Sequence, residues 1–335
     1  MSKVVGFGDY LMHLSPEGYL RFAQANSLEL SFTGAEANVL AALSLWGINT
    51  EFVTSVPKNP LAQKGVSFLK GLGIKTDNIY MCDGRMGLYF LEKGASLRSS
   101  GVIYDRENTC FCNSKYDDYN WESIFDGCEY FYLTGITPRL SENLYDASKK
   151  ALAEAKKRGI KAVLDLNFRS KLGTVEDFKK VILDFAKYLD CLIINEEHAK
   201  MMFGITNEFF EEEAFERVEN FTRQVQRITG IKTIAMPVRR TISASDARIY
   251  AGVLNDDVFA LGNTFDIHVV DRVGSGDAFS AGLLYSLISG FETDKAVNFA
   301  SASSALKHTV ESDINYSSVE EIEAVLSKGF GDVKR

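Results

Sequence analysis

The sequence predicts an α/β fold, with a mostly parallel central sheet, helices on both faces and a small β lid. Three observations carry the prediction. Short apolar runs alternate with helical patterns through the first half of the chain. Two runs near the middle of the chain, Ala162-Val163-Leu164-Asp165-Leu166 and Cys191-Leu192-Ile193-Ile194, are almost continuously apolar, as strands covered on both faces are. Glycines at 47, 73 and 159 stop the helical patterns that separate such runs.

In order along the chain, Lys3-Val4-Val5-Gly6 reads as the first strand and residues 34–46 as an apolar helix ended by Gly47. A strand at Glu51-Phe52-Val53-Thr54 and a helix over 61–72 follow. Tyr130-Phe131-Tyr132-Leu133 is the next strand, then a helix over 141–158 closed by Gly159. Residues 233–270 change character to several β-like runs, and 278–289, 293–306 and 318–327 read as helices. Two segments, 10–32 and 85–112, break the alternation. Their short runs (Leu28-Glu29-Leu30-Ser31-Phe32, Gly87-Leu88-Tyr89-Phe90-Leu91 and Gly101-Val102-Ile103-Tyr104) are expected to form a small sheet outside the main layer. Such a sheet needs a ligand or a second subunit to cover its face. Cys110 and Cys112 are expected to alternate on a strand there.

The chain has 335 residues, 46% of them apolar, enough for one large domain with a small accessory piece. A net charge of -8 argues against nucleic-acid binding. No apolar stretch reaches membrane-span length, and the N-terminus lacks a signal peptide's apolar region. Five cysteines without a C-x-x-C pair, and four scattered histidines, point to a reduced cytoplasmic setting without a zinc site.

The chemistry is expected beyond the carboxyl ends of the strands. Four groups fall there: Gly6-Phe7-Gly8-Asp9, Asp165-Leu166-Asn167-Phe168-Arg169, Asn195-Glu196-Glu197-His198, and the turn from Asp271 to Asp277. In the last, the apolar Val269-Val270 runs into Gly274-Ser275-Gly276 and opens a helix whose first turn carries Asp277. Free N–H groups at such a turn bind anions, and a carboxylate beside them can take a proton from an attacking hydroxyl. That pairing suggests phosphoryl transfer to an alcohol. No G-x-x-x-x-G-K-[ST] or G-x-G-x-x-G sequence occurs, which argues against a P-loop enzyme and a nicotinamide-dependent dehydrogenase. Arg106 and Arg169, two guanidiniums in an acidic chain, would suit a carboxylate or phosphate on the substrate.

These residues resemble the signatures of the ribokinase-like, or PfkB-type, sugar kinases. Gly34-Ala35-Glu36-Ala37-Asn38-Val39 matches the first signature, Asp271 to Asp277 the second, and Asn167 and Arg169 stand where the family carries D-x-N-x-R. Longer runs, including Tyr89-Phe90-Leu91-Glu92-Lys93-Gly94-Ala95, Val102-Ile103-Tyr104-Asp105-Arg106 and Leu306-Lys307-His308-Thr309, are most similar to kinases of 2-keto-3-deoxygluconate. The resemblance implies one three-layer ribokinase-like domain over 1–335, with the lid inserted from 10–32 and 85–112. It implies ATP as donor, Mg2+ as cofactor and a homodimer or higher homo-oligomer through the lid.

Position by position, it implies Asp277 as general base and the N–H groups of Gly274, Ser275 and Gly276 as the anion hole. The sugar acid would touch Asp9, Gly34, Asn38, Tyr89, Tyr104, Arg106, Asn167 and Arg169. Asn195, Ser243, Ser245, Asp246, Gly274, Gly276 and Asn298 would lie near the nucleotide, Glu196 and Glu197 near magnesium, and Asp271 is a candidate ligand for a monovalent cation such as K+. The chain departs from the family at Thr33, usually Gly, at His198, usually acidic, and through Met236-Pro237-Val238-Arg239-Arg240. A kinase of a neutral sugar or nucleoside, and a sugar-binding relative without catalysis, are the alternatives.

Overall fold

In the computed structural model, residues 2–210 and 212–328 are described. The expected domain limits, 1 and 335, lie outside them. The central sheet runs, in spatial order, through Val258–Leu261, Asp246–Asn255, Thr233–Thr241, Cys191–Ile193, Lys161–Asp165, Cys128–Thr134, Lys3–Phe7 and Asn49–Val53. Every pairing from Thr233–Thr241 to Asn49–Val53 is parallel. The remaining strands, with Phe265–His268 beside Asp246–Asn255, pair antiparallel. The β-like stretch after 233 is therefore one antiparallel wing.

Period-two alternation divides the strand residues between two cores. Val4, Tyr130, Tyr132 and Val163 face one layer with Leu40, Phe279 and Phe299 from the helices Ala35–Leu45, Ser275–Ile288 and Thr293–Lys307. Val5, Phe131, Leu133 and Leu164 face the other, against Leu144, Phe178 and Phe221 of Glu142–Lys157, Val175–Phe185 and Ala214–Thr229. This is a three-layer α/β fold, as the sequence predicts. The Val175–Phe185 and Ala214–Thr229 helices were not anticipated. Each buries one apolar stripe and turns a polar face outward, so its apolar residues are interrupted by charged ones along the chain.

Glu29–Thr33, Leu11–Ser15, Gly87–Glu92 and Gly101–Asp105 form a separate four-stranded sheet, in that order. Its inner face carries Leu11, Tyr89 and Leu91, which pack with Tyr104 and with Val273 of the glycine turn. The loop after Gly87–Glu92 reaches the antiparallel wing, where Ala244 N–H donates to the Ser96 carbonyl at 2.8 Å and Ser96 N–H to Ser245 Oγ at 3.0 Å. The outer face exposes Ile103, Val102 lines the cavity on the inner face, and Leu97 is exposed in the loop.

Two local expectations are corrected. Cys110 and Cys112 lie on a four-residue helix, Cys110–Asn113, capped by the Thr109 hydroxyl. A Thr cap three residues ahead of Cys112 outweighs the weak two-residue alternation. Val269-Val270 is no strand: Val269 N–H donates to the Ser245 carbonyl and Val270 N–H to the His308 carbonyl, so the chain leaves the sheet at His268.

Candidate active site

Because the core strands are parallel, their carboxyl ends share one edge, and the loops after Phe7, Asp165 and Ile193 meet there. The Ser275–Ile288 helix points its N-terminus at the same place. Gly274 caps that helix at φ 75°, a conformation glycine adopts without strain. A Cβ at 274 would also stand 1.9 Å from the Asp313 carbonyl oxygen. A Cβ at Gly276 would meet nothing within 4 Å, so that side of the turn is open. Among the described residues, the N–H groups of Gly274, Gly276 and Asp277 have no acceptor, whereas Ser275 N–H donates to the Arg272 carbonyl at 3.3 Å. Unpaired N–H groups on the positive end of a helix make an anion cradle.

Asp277 lies buried at that cradle and accepts from Asn38 Nδ2 at 2.8 Å. Burial pushes its carboxyl up to about 6, opposed by the Asn38 hydrogen bond and the Arg169 charge. A base with that pKa is ionised at neutral pH yet basic enough to take a proton. Asp165 is also buried and pushed up to about 7, by burial and by the Asp277 charge. Its Oδ1 accepts from Asn167 N–H at 3.0 Å, and Asn167 sits at φ 41°, a left-handed turn that Asn tolerates.

Two adjoining cavities share the turn. The larger, about 570 Å³, is lined by Asn38, Tyr89, Tyr104, Arg106, Arg169 and Asp277, and by Gly34 and Asn167 of the predicted set. A Cβ at Gly34 would lie 2.2 Å from the Asp9 carbonyl oxygen, so only glycine allows this close approach. Tyr89 and Tyr104 stack at 5.1 Å, and the Arg106 guanidinium lies 4.4 Å from the Tyr104 ring centroid. Among the described residues, the buried Nε of Arg106 has no hydrogen-bond partner, and its Nη1 lies 3.9 Å from Asp9 Oδ2. Asp9 is buried and lies outside the cavity lining. A cation held this loosely is poised for an anion from solution.

The second cavity, about 350 Å³, lies between Asn195 and Arg239 on one side and Phe279, Ser301, Ser304 and His308 on the other, with Ile249 and Tyr250 as apolar wall. Asn195, Glu197, Arg239, Ser275 and Gly276 line both cavities and so mark their junction. Asn195 caps the Glu196–Phe203 helix, accepting from His198 N–H at 2.8 Å. Ser243, Ser245, Asp246 and Asn298 lie outside both linings. Ser245 holds the lid loop, Ser243 Oγ donates to Asp246 Oδ2, Asp246 pairs with His268, and Asn298 Oδ1 accepts from Asn263 N–H.

Glu196 is committed, its two oxygens each 2.9 Å from a guanidinium nitrogen, of Arg217 and of Arg240. Glu197 is exposed at the junction. Among the described residues no cluster of three His, Cys, Asp or Glu side chains could hold a metal. One free carboxylate beside an anion cradle suits magnesium, which is held largely by phosphate oxygens and water. Arg239, Arg272 and Asp313 were not singled out from the sequence. Arginines within a strand or after one read as surface charges, and Asp313 lies in a polar turn-like tail.

A pfkB family carbohydrate kinase model matches residues 1–320. The chain belongs to the pfkB family of carbohydrate kinases. A 2-dehydro-3-deoxygluconokinase of Thermotoga maritima is 39% identical, with a TM-score of 0.93 over 97% of this chain and 98% of its own. A 2-dehydro-3-deoxygalactonokinase of Haloferax volcanii is 29% identical over 100% of this chain and 99% of its own. A fold neighbour from E. coli crystallised with ATP and Mg2+ has a TM-score of 0.80 at 18% identity, covering 98% of this chain and 100% of its own. As a pfkB carbohydrate kinase, the chain phosphorylates sugar-type substrates. No helix among the described residues is long and apolar enough to cross a membrane.

Proposed function

We propose that this kinase transfers the γ-phosphoryl group of ATP to the primary hydroxyl of a sugar acid, with 2-keto-3-deoxygluconate the first candidate and its galactonate epimer the second. The observation that carries this reading is that Arg106 and Arg169 line the same cavity as Asp277. Two guanidiniums would bind the acid's carboxylate and leave its far hydroxyl toward the base. A neutral sugar would leave both without an anion. The relatives named for the gluconate and galactonate compounds support the same substrate class.

Asp277 takes the hydroxyl proton, the sugar oxygen bonds to the γ-phosphorus, and the bond to the bridging oxygen of ADP breaks. The N–H groups of Gly274, Gly276 and Asp277, with Arg239 at the junction, hold the charge on the transferring group. Asn195 and Glu197, at the junction of the two cavities, would hold magnesium, which would neutralise phosphate charge when bound. The reading assigns the nucleotide to the smaller cavity, with Ser243, Ser245, Asp246 and Asn298 at its periphery. It also has two copies joined by the outer lid face at Ile103, in a cytoplasm that keeps the five free thiols reduced.

Coupled ADP-release assays across sugar acids and neutral sugars test the proposal. A sugar acid is expected to give the highest kcat/KM. Preference for fructose, ribose or a nucleoside would defeat the carboxylate assignment.

A further inference from the structure

Lys307 has no exposed surface, yet it ends in a charge. Burying an ammonium is costly unless oxygens replace its water. Lys307 Nζ donates to the Asp271 carbonyl at 3.3 Å and to the Val310 carbonyl at 3.1 Å. Burial draws its pKa down, while the charges of Asp271, Asp313 and Asp277 oppose the fall. Main-chain carbonyls at such a point are the ligands that replace the hydration shell of a monovalent cation.

The position is significant. Asp271 begins the turn that Gly274 completes, and its Oδ1 accepts from Val273 N–H at 3.0 Å. Val310 follows the Thr293–Lys307 helix and leads to Asp313, whose carbonyl oxygen lies against Gly274. One ammonium thus ties the start of the anion turn to the loop beneath it. The Asp271 carboxylate, expected from the resemblance to serve a monovalent cation, accepts from Val273 N–H and faces the Lys93 ammonium at 3.8 Å, while the Asp271 carbonyl is taken by Lys307. The residues present do not fit a K+ ion from solvent.

We propose that Lys307 is a built-in monovalent cation. Its ammonium stands under the anion turn, fixes the direction of the turn's N–H groups, and makes the kinase independent of K+. The inference rests on the kinase reading for its consequence in turnover, but not for its consequence in cation binding. Lys307 is a positioning residue: it acts on phosphate through the turn.

Two measurements on the unmodified protein come first. Turnover in a tetramethylammonium buffer, with ATP and magnesium, is expected to change by less than about twofold when KCl is added. Thermal unfolding is expected to show no stabilisation specific to K+ over tetramethylammonium. Lys307→Ala is then expected to lose roughly 10- to 100-fold in kcat, with KM for the sugar acid little changed. Part of that loss should return with K+, NH4+ or methylammonium, and K+ should now raise the variant's unfolding temperature. Lys307→Met, which fills the space, should not be rescued. K+ activation or K+-specific stabilisation of the unmodified protein overturns the proposal. So does a folded Lys307→Ala whose turnover and stability ignore every monovalent cation. If Lys307→Ala does not fold, the two wild-type measurements decide. Absence of any kinase turnover defeats the functional reading alone, because the unfolding measurement still tests the cation site.

Discussion

Asn38 and Arg106 show how single side chains set the proposed chemistry. Asn38 donates to Asp277 and so favours its charged form. Asp277 must be ionised to accept a proton, so kcat/KM should fall as pH drops through about 6. Asn38→Ala removes a stabiliser of the anion, which raises the pKa, and a pH–rate profile should place its acid limb at higher pH. An acid limb that stays in place would separate Asn38 from the base. Arg106→Ala should raise KM for the sugar acid by about 10- to 100-fold, the worth of one charge-assisted hydrogen bond, and leave KM for ATP near its original value. An equal rise in both would show general damage to the cleft. Asp277, the turn, the two arginines and Asn38 were legible because each sits in a compact local motif. Arg239 and Asp313 were not, because only the tertiary fold carries a mid-strand arginine and a tail aspartate to the cleft.

The turn before Ser275–Ile288 is the element on which the site depends, and its glycines fail in different ways. Gly274→Ala forces a Cβ toward the Asp313 carbonyl at positive φ. A cost of roughly 1–3 kcal/mol should lower the unfolding temperature as well as kcat. Gly276→Ala meets no protein atom, so it should unfold at the original temperature while its methyl group obstructs the cradle and lowers kcat. Paired calorimetry and kinetics distinguish the two, and equal stability losses would contradict the described geometry. Elements with continuous apolar runs were readable in the chain. The Val175–Phe185 and Ala214–Thr229 helices, which show only one buried stripe, were harder to see. Cys110–Asn113 shows the opposite failure: a two-residue coincidence suggested a strand where a threonine cap starts a helical turn.

At the scale of the whole molecule, the parallel sheet brings sequence-distant loops to one edge, and the four-stranded sheet covers them through Leu11, Tyr89 and Leu91. Its short runs at 28–32, 87–91 and 101–104 were visible as β without helices; how the sheet docks was not, because Ser96 and Ser245 are ordinary loop residues in sequence. If two copies meet on the outer face, Ile103→Glu should turn a dimer into a monomer in sedimentation velocity, while an unchanged mass would remove that face from the assembly. The central claim concerns the carboxylate beneath the cradle. Its most direct test is ADP formation from ATP, magnesium and 2-keto-3-deoxygluconate by Asp277→Asn, alongside its unfolding temperature. The account predicts a folded protein whose kcat has dropped by roughly 10²- to 10⁴-fold. A folded variant that turns over at the unmodified rate would contradict it.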